Sequence, residues 1–377
     1  MKPKFFLIST ISDSLPFFKG QINVLKEYFT VSLVSNPGSH LKEMSNEYNV
    51  RKFPIRMERE ISPYKDLKSF INLIILFVKE KPTVVHANTP KASLLAITAA
   101  WFTRVPTRIY YVHGLRYQSM VGPKKALLVL LERLTCWFAT DIIAVSNGIK
   151  NILRTDNITS KDIIIIGNGS VNGINTTYFN PDEVVKIKND KLSERDFVFG
   201  FVGRMVKDKG LEELIFAFKE LSQTHINVKL LIVGGFDGDI TLTREVVNNI
   251  YNNPNILYVG PQKDVRPYFK AMDVFVLPSY REGFGIVLIE AGAMKIPSIT
   301  TNIVGCNEII IENETGFLVK TKDIKDLHDK MKYVLDNKEQ IKIMREKARN
   351  SVYIRYNQDA VWKNAKETYL KIVQRHV

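Results

Sequence analysis

Short apolar runs alternate with longer helical patterns along almost the whole chain, and that alternation restricts the fold more than any other feature. In the first half the runs are KFFLIS from Lys4, VSLVS from Val31, TVVHAN from Thr83, TRIYYVHG from Thr107, DIIAVS from Asp141 and DIIIIGNG from Asp162. In the second half they are FVFGFVGR from Phe197, VKLLIVGG from Val228, NILYVG from Asn255, DVFVLPS from Asp273 and PSITT from Pro297. Runs this short and this apolar read as strands covered on both faces. Helical patterns fall between them at residues 63–81, 90–103 and 124–138, then at 211–222, 241–252, 264–271 and 286–294. Residues 323–376 read as helix throughout. A strand running parallel to its neighbour needs a crossover, and a helix both makes the crossover and covers the sheet. The chain is therefore expected to be α/β, built from parallel βαβ units.

At 377 residues the chain is too long for one ordinary core and suits two domains. The break falls in the polar, charged stretch NTTYFNPDEVVKIKNDKLSERD, residues 175–196, which reads as a linker. We expect two doubly wound Rossmann-like domains facing each other across a cleft. Their bounds are residues 1–185 and 186–355, with a C-terminal helix over 356–377 packing back toward the first domain. Ligands of such sheets bind at the carboxyl ends of the strands. The loop GNGSVNGINTTYF, residues 167–179, is rich in residues that tolerate positive φ and suits a segment lining the cleft. The longest apolar stretch, FINLIILFV at 70–78, is too short to cross a bilayer. The N-terminus reads as a first strand and not as a signal peptide. Two cysteines, Cys136 and Cys306, argue against a disulfide scaffold or a cysteine zinc site, and a reducing cytoplasm is expected.

Two segments have the residue types for anion and sugar chemistry. In GFVGRMVKDKG a strand ends at Gly203, and Arg204 and Lys209 follow before Gly210 opens a helix. Two cations beside a strand end and a helix N-terminus suit a diphosphate, although the loop is not of the GxxxxGK[ST] kind. In PSYREGFGIVLIEAGAMK, Glu282 and Glu290 flank a Gly283-Phe284-Gly285 turn. A carboxylate is a bidentate acceptor for vicinal hydroxyls, so one glutamate can hold a ribose while the other faces a sugar. The paired glycines of LIVGGF read as a plain strand-to-loop turn, and DGD at 237–239 as a loop and helix-capping segment rather than a metal site.

Charge is uneven. Residues 1–180 hold 23 Lys+Arg against 12 Asp+Glu, and the rest hold 30 against 27. A basic half suggests an anionic partner. Lys65, Lys68, Lys124 and Lys125 stand beside apolar helical segments, as at an anionic bilayer surface. ALLVLLERLTCWF, residues 126–138, is nonetheless apolar on most sides and reads as a buried core helix. Nucleic acid is not an expected partner, because no reading module and no aromatic-interleaved basic stripe is present.

The chain resembles the retaining glycosyltransferases of family 4, which have the GT-B fold. VHG, AVSNGIKN, GNGSVNGIN, FVGRMVKDKG, EGFGIVLIEA and NETGFLV occur in the family's order over nearly the whole chain. SDSLPFFKGQINVLKE and GNGSVNGIN look like the bacterial subgroup of lipid-diphosphate-glycan N-acetylgalactosaminyltransferases. The resemblance implies that Arg204 and Lys209 bind the donor diphosphate and that Glu290 binds the nucleotide ribose. Glu282 would face the donor sugar near the amides of Phe284, Gly285 and Ile286. Gly20 would lie close to the phosphates, in a first loop with one glycine where many members have two or more. His113 would serve the acceptor side, with His86 a weaker candidate of the same kind. A nucleotide sugar, best taken as UDP-linked, is then a substrate, and no cofactor or metal is expected. The acceptor would be a lipid-diphosphate-linked glycan at the inner face of the bacterial plasma membrane. A nucleotide-sugar 2-epimerase of the same fold is the alternative, and the arginine-lysine loop with EGFG favours the transferase.

Overall fold

The computed structural model of the protein describes residues 2–236 and 241–377, so the DGD pattern lies outside the described residues. The chain forms two compact units, residues 1–173 with 359–377, and residues 174–358.

Unit 1 holds seven parallel strands: β1 (Lys4–Ile8), β2 (Thr30–Ser35), β3 (Arg51–Pro54), β4 (Val84–Ala87), β5 (Thr107–Val112), β6 (Asp141–Ala144) and β7 (Ile163–Ile165). Their order is β3-β2-β1-β4-β5-β6-β7. Ile8 of β1 is in register with Val34 on one side and Ala87 on the other, so the winding direction reverses between β1 and β4. β1 is nearly all buried, as an apolar strand covered on both faces must be. β3 lies at the sheet edge and is mostly exposed, which lets Arg51, Lys52 and Pro54 sit in a strand. No apolar run marks it in the sequence.

The helices Pro63–Glu80, Pro90–Phe102 and Gly122–Phe138 each have a proline in the first turn, where a missing N–H costs nothing. The last of these differs from expectation. It is not a buried core helix, because only Glu132, Thr135 and Cys136 are buried on it and Leu127, Leu130 and Trp137 are exposed. The tail is three helices, Ile324–Asp336, Lys338–Tyr356 and Gln358–His376, broken at Asn337 and Asn357. The third packs in unit 1. Trp362 Nε1 donates to Asn172 Oδ1 at 2.7 Å, Tyr369 Oη lies 3.1 Å from His86 Nε2, and His376 Nε2 lies 2.7 Å from Asp141 Oδ2.

Unit 2 repeats the architecture with β8 (Phe197–Val202), β9 (Val228–Val233), β10 (Ile256–Tyr258), β11 (Val274–Leu277), β12 (Ser298–Thr301) and β13 (Gly316–Val319), in the order β10-β9-β8-β11-β12-β13. The seeming linker at 175–196 starts inside this unit and is bound to it. Lys270 Nζ donates to the carbonyls of Pro181 and Val184, and Arg349 to those of Thr176 and Phe179. Cationic forks satisfy carbonyls that no strand partner reaches. The unit boundary therefore falls at 173/174 rather than at 185. Ile174 pairs with the far end of the same unit: its N–H donates to Tyr356 O at 2.8 Å, and its carbonyl accepts from Gln358 N at 3.0 Å.

Candidate functional site

β8 and β11 are neighbours, and their outer neighbours β9 and β12 lie on opposite sides. The carboxyl ends of β8 and β11 are therefore the switch point of this sheet, where ligands of open α/β sheets bind. The β8 loop runs through Arg204 and a 3-10 turn, Lys207–Lys209, to Gly210 and the helix Leu211–Thr224. The β11 loop runs through Ser279 and Glu282 to the helix Ile286–Ala293.

The two loops are locked together. Gly210 has φ 68°, and a Cβ there would overlap the carbonyl of Pro278, so only glycine permits this approach. Tyr280 N–H donates to Asp208 O at 2.9 Å, and Tyr280 Oη donates to Glu213 Oε1 at 2.5 Å. The result is an ion pair: Lys209 Nζ is 2.5 Å from Glu282 Oε1, which also accepts from Ser279 Oγ at 2.9 Å. The pair keeps some access to solvent, with 19% of the lysine side chain and 13% of the glutamate side chain exposed. Arg204 is exposed on the same loop as Lys209. Sequence reasoning singled out Lys209 and Glu282 but not their contact, which joins positions 73 residues apart. It also missed Ser279, Tyr280 and Glu213, whose only signal is polarity beside a strand end.

Glu290 stands in the second turn of Ile286–Ala293, and its carboxylate has no ion pair or hydrogen bond among the described residues. Burial pushes its carboxyl up to about 7. The amides expected near Glu282, those of Phe284, Gly285 and Ile286, need correction. Gly285 N–H donates to Gly305 O at 2.8 Å and Ile286 N–H to Phe284 O at 2.9 Å, so both are spent within the fold. Gly283, Phe284 and Val287 are the residues of this turn whose amides bind nothing among the described residues, as expected of a helix start. Cys306 is buried near Glu282 and its thiol is pushed up to about 12, first by burial, which suits a structural thiol.

In unit 1, Gly20 (φ 80°) precedes the short helix Gln21–Lys26. Its N–H donates to Tyr48 Oη at 2.9 Å, and a Cβ on it would collide with the Trp362 ring. The structure accounts for this glycine by packing, and its amide is not open to a phosphate. His113, at the end of β5, packs against Phe18 and Tyr111, and burial lowers its imidazole to about 3. It is neutral at pH 7, and its Nε2 is buried without a hydrogen-bond partner. His86 is fully buried within β4, bonded to Tyr369 and ringed by Phe18 and Tyr111, so it reads as a core residue.

Among the described residues no group of three or more His, Cys, Asp or Glu is placed to hold a metal ion, and no helix is long and apolar enough to cross a membrane.

Comparison with known proteins covers both units. Residues 25–170 match the family described as Glycosyltransferase Family 4, and residues 184–351 match Glycosyl transferases group 1. A capsular polysaccharide biosynthesis glycosyltransferase, CapM of Staphylococcus aureus, is 37% identical over 97% of this chain and 96% of its own. The UDP-Gal:alpha-D-GlcNAc-diphosphoundecaprenol alpha-1,3-galactosyltransferase of Escherichia coli is 29% identical over 92% of this chain and 90% of its own. Among solved structures, Anabaena HepE in complex with UDP superposes with a TM-score of 0.79 at 17% identity, covering 98% of this chain and all of that one.

Proposed function

The chain belongs to glycosyltransferase family 4, and from that premise we propose that it moves a hexose or an N-acetylhexosamine from a UDP-sugar to a lipid-diphosphate-linked glycan. GalNAc and GlcNAc are the best candidates for the sugar, and the family resemblance implies retention at the anomeric carbon. The assembly served is a bacterial surface polysaccharide or a glycoprotein glycan. Support for the acceptor comes from the full-length relatives, one named for capsule synthesis and one for a diphosphoundecaprenol acceptor.

The observation that carries the donor reading is the Lys209–Glu282 pair, set with Ser279 at the carboxyl ends of β8 and β11. Bond cleavage at the anomeric carbon leaves negative charge on the departing diphosphate. Lys209 and Arg204 neutralise that charge, and the open amides of Phe284 and Val287 add donors. Two cations supply the stabilisation a divalent ion would otherwise give, so the reading is of a metal-independent transferase. Released by Lys209, the Glu282 carboxylate is free to accept from the sugar hydroxyls and to meet the positive charge that grows on the ring. Glu290 takes the two ribose hydroxyls. His113, a neutral imidazole with an unsatisfied Nε2, offers one hydrogen bond on the acceptor side. The enzyme works at the inner face of the plasma membrane, where a lipid-linked acceptor would present its glycan.

The test is a panel of nucleotide sugars incubated with the protein and a lipid-diphosphate glycan in EDTA, with product configuration read by NMR. Transfer from a UDP-sugar with retention is expected. Conversion of the nucleotide sugar without acceptor, or activity that returns only with manganese or magnesium, would reject the reading.

A further inference from the structure

Two helices of unit 1 carry apolar stripes on the side away from the core. On Pro63–Glu80, Leu67, Ile71, Ile75 and Val78 recur at i, i+4, i+8 and i+11. The buried Ser69, Leu73, Phe77 and Glu80 keep the same spacing two residues out of phase, which is about half a turn round the helix. On Gly122–Phe138 the outer stripe is Leu127, Leu130, Leu134 and Trp137, again opposite the buried Glu132, Thr135 and Cys136. These eight side chains are 37–63% exposed. Pro90–Phe102 packs between the two helices, and its end joins them through rings. Phe102 lies 6.0 Å from Phe70 and 4.9 Å from Trp101, and Trp101 lies 6.1 Å from Trp137. An apolar surface this continuous marks an interaction site in a folded protein.

Charge names the occupant. Unit 1 holds 27 Lys+Arg against 14 Asp+Glu, and unit 2 holds 26 against 25. Lys68 and Lys79 are exposed along one flank of the first stripe, and Lys124 and Lys125 stand exposed at the head of the second. A groove of about 860 Å³ adjoins that stripe; Leu134 and Trp137 line it together with Arg133, Arg154 and Lys161. These cations cap main-chain carbonyls, and Arg154 also lies near Asp162, so they offer a headgroup charge more than open hydrogen bonds.

We propose that the outer face of Pro63–Glu80, Pro90–Phe102 and Gly122–Phe138 docks into an anionic bilayer, its leucines, isoleucines and tryptophans entering the acyl boundary beneath a rim of lysines. Apolar insertion and basic attraction are the two signals that together hold a protein on a membrane reversibly. The inference rests on the reading that the acceptor is lipid-borne, and it replaces general attraction of a basic domain with one defined, inserting face.

The three tryptophans report on it directly, because Trp101 and Trp137 are on the face while Trp362 packs against Gly20. The full chain is mixed with phosphatidylcholine vesicles, with or without phosphatidylglycerol, whose acyl chains are brominated. Binding should require phosphatidylglycerol, weaken with salt and quench tryptophan fluorescence. In Trp101→Phe/Trp137→Phe binding should persist and quenching vanish. Leu127→Ser/Leu130→Ser should lower partitioning at least about tenfold, with melting temperature and UDP affinity unchanged. Lys124→Ala/Lys125→Ala should lower it roughly fivefold per lysine. Binding without quenching overturns the proposal, since attachment would then be electrostatic only. Quenching that survives loss of Trp101 and Trp137 also overturns it, as does a lipid-free dimer that Leu127→Ser/Leu130→Ser breaks. Failure of sugar transfer with docking intact refutes the transfer reading and leaves the face standing.

Discussion

Lys209 and Glu282 neutralise one another in the free chain, so an incoming diphosphate must compete with a carboxylate for one ammonium. Donor binding on this reading is an exchange of partners. Lys209→Ala and Arg204→Ala should each lower kcat/KM at least about tenfold, the worth of about 1.4 kcal/mol of leaving-group stabilisation. Steady-state kinetics of both variants check this. Glu290 behaves differently because among the described residues it has no partner to exchange. Its carboxyl keeps a proton up to about pH 7 when folded, against an ordinary value near 4.5. Between those values the folded chain binds more protons than the unfolded one, so stability falls as pH rises through the window. Glu290→Gln should therefore stabilise the free protein by about 3 kcal/mol at pH 8 and by nothing at pH 4, while weakening UDP. Thermal melts at the two pH values and calorimetry with UDP check both halves. Glu282→Gln should leave UDP affinity nearly intact and lower kcat instead, by losing a contact that sharpens in the transition state. Equal weakening of UDP by both substitutions would put the two carboxylates in one subsite.

The first loop and the last helix of unit 1 are one packed element, because the Trp362 ring fills the place of a side chain on Gly20. Gly20→Ala should cost about 2–4 kcal/mol, from positive φ and from the collision together. Adding Trp362→Ala should recover the collision but not the φ cost. A double-mutant cycle on unit 1 melting would show the coupling as less than additive loss. How well an element shows in sequence follows from what its residues must do. β1, β4, β5, β8 and β11 are central strands and read as apolar runs because both faces are covered. β3 is an edge strand and carries Arg51, Lys52 and Pro54, so no run marks it. The helix at 122–138 shows its apolarity plainly but not its destination. Apolarity alone points its leucines to the core, whereas the fold buries Glu132, Thr135 and Cys136 and turns Leu127, Leu130, Leu134 and Trp137 outward. In the β11 loop, glycine spacing reveals a turn at a helix start. Which amides remain open depends on Gly305, a residue brought there only by the fold. Lys209 and Glu282 are each legible as charges near a strand end. Their bond is not, since it depends on Gly210 letting two loops touch.

At the scale of the molecule, unit 2 is an insertion in unit 1, entered at Ile174 and left at Gln358, with those ends hydrogen-bonded side by side. A fragment of residues 174–358 should fold alone and bind UDP near full-chain affinity, because Arg204, Lys209, Glu282 and Glu290 all lie inside it. A fragment of residues 1–173 should stay unfolded without the helix Gln358–His376. Circular dichroism and calorimetry on the two fragments test this, and a folded 1–173 fragment would contradict it. The same topology sets an order of events during synthesis. A ribosome delivers residues 1–173 first, yet Trp362 and Tyr369, which seal Gly20 and His86, emerge after all of unit 2. The 185 residues from 174 to 358 take roughly 10–40 s to translate at ~5–20 residues per second. For that interval residues 1–173 lack the helix they need to fold, and their apolar segments stay open to other partners. A chaperone would first meet this chain then, before the enzyme exists as a whole.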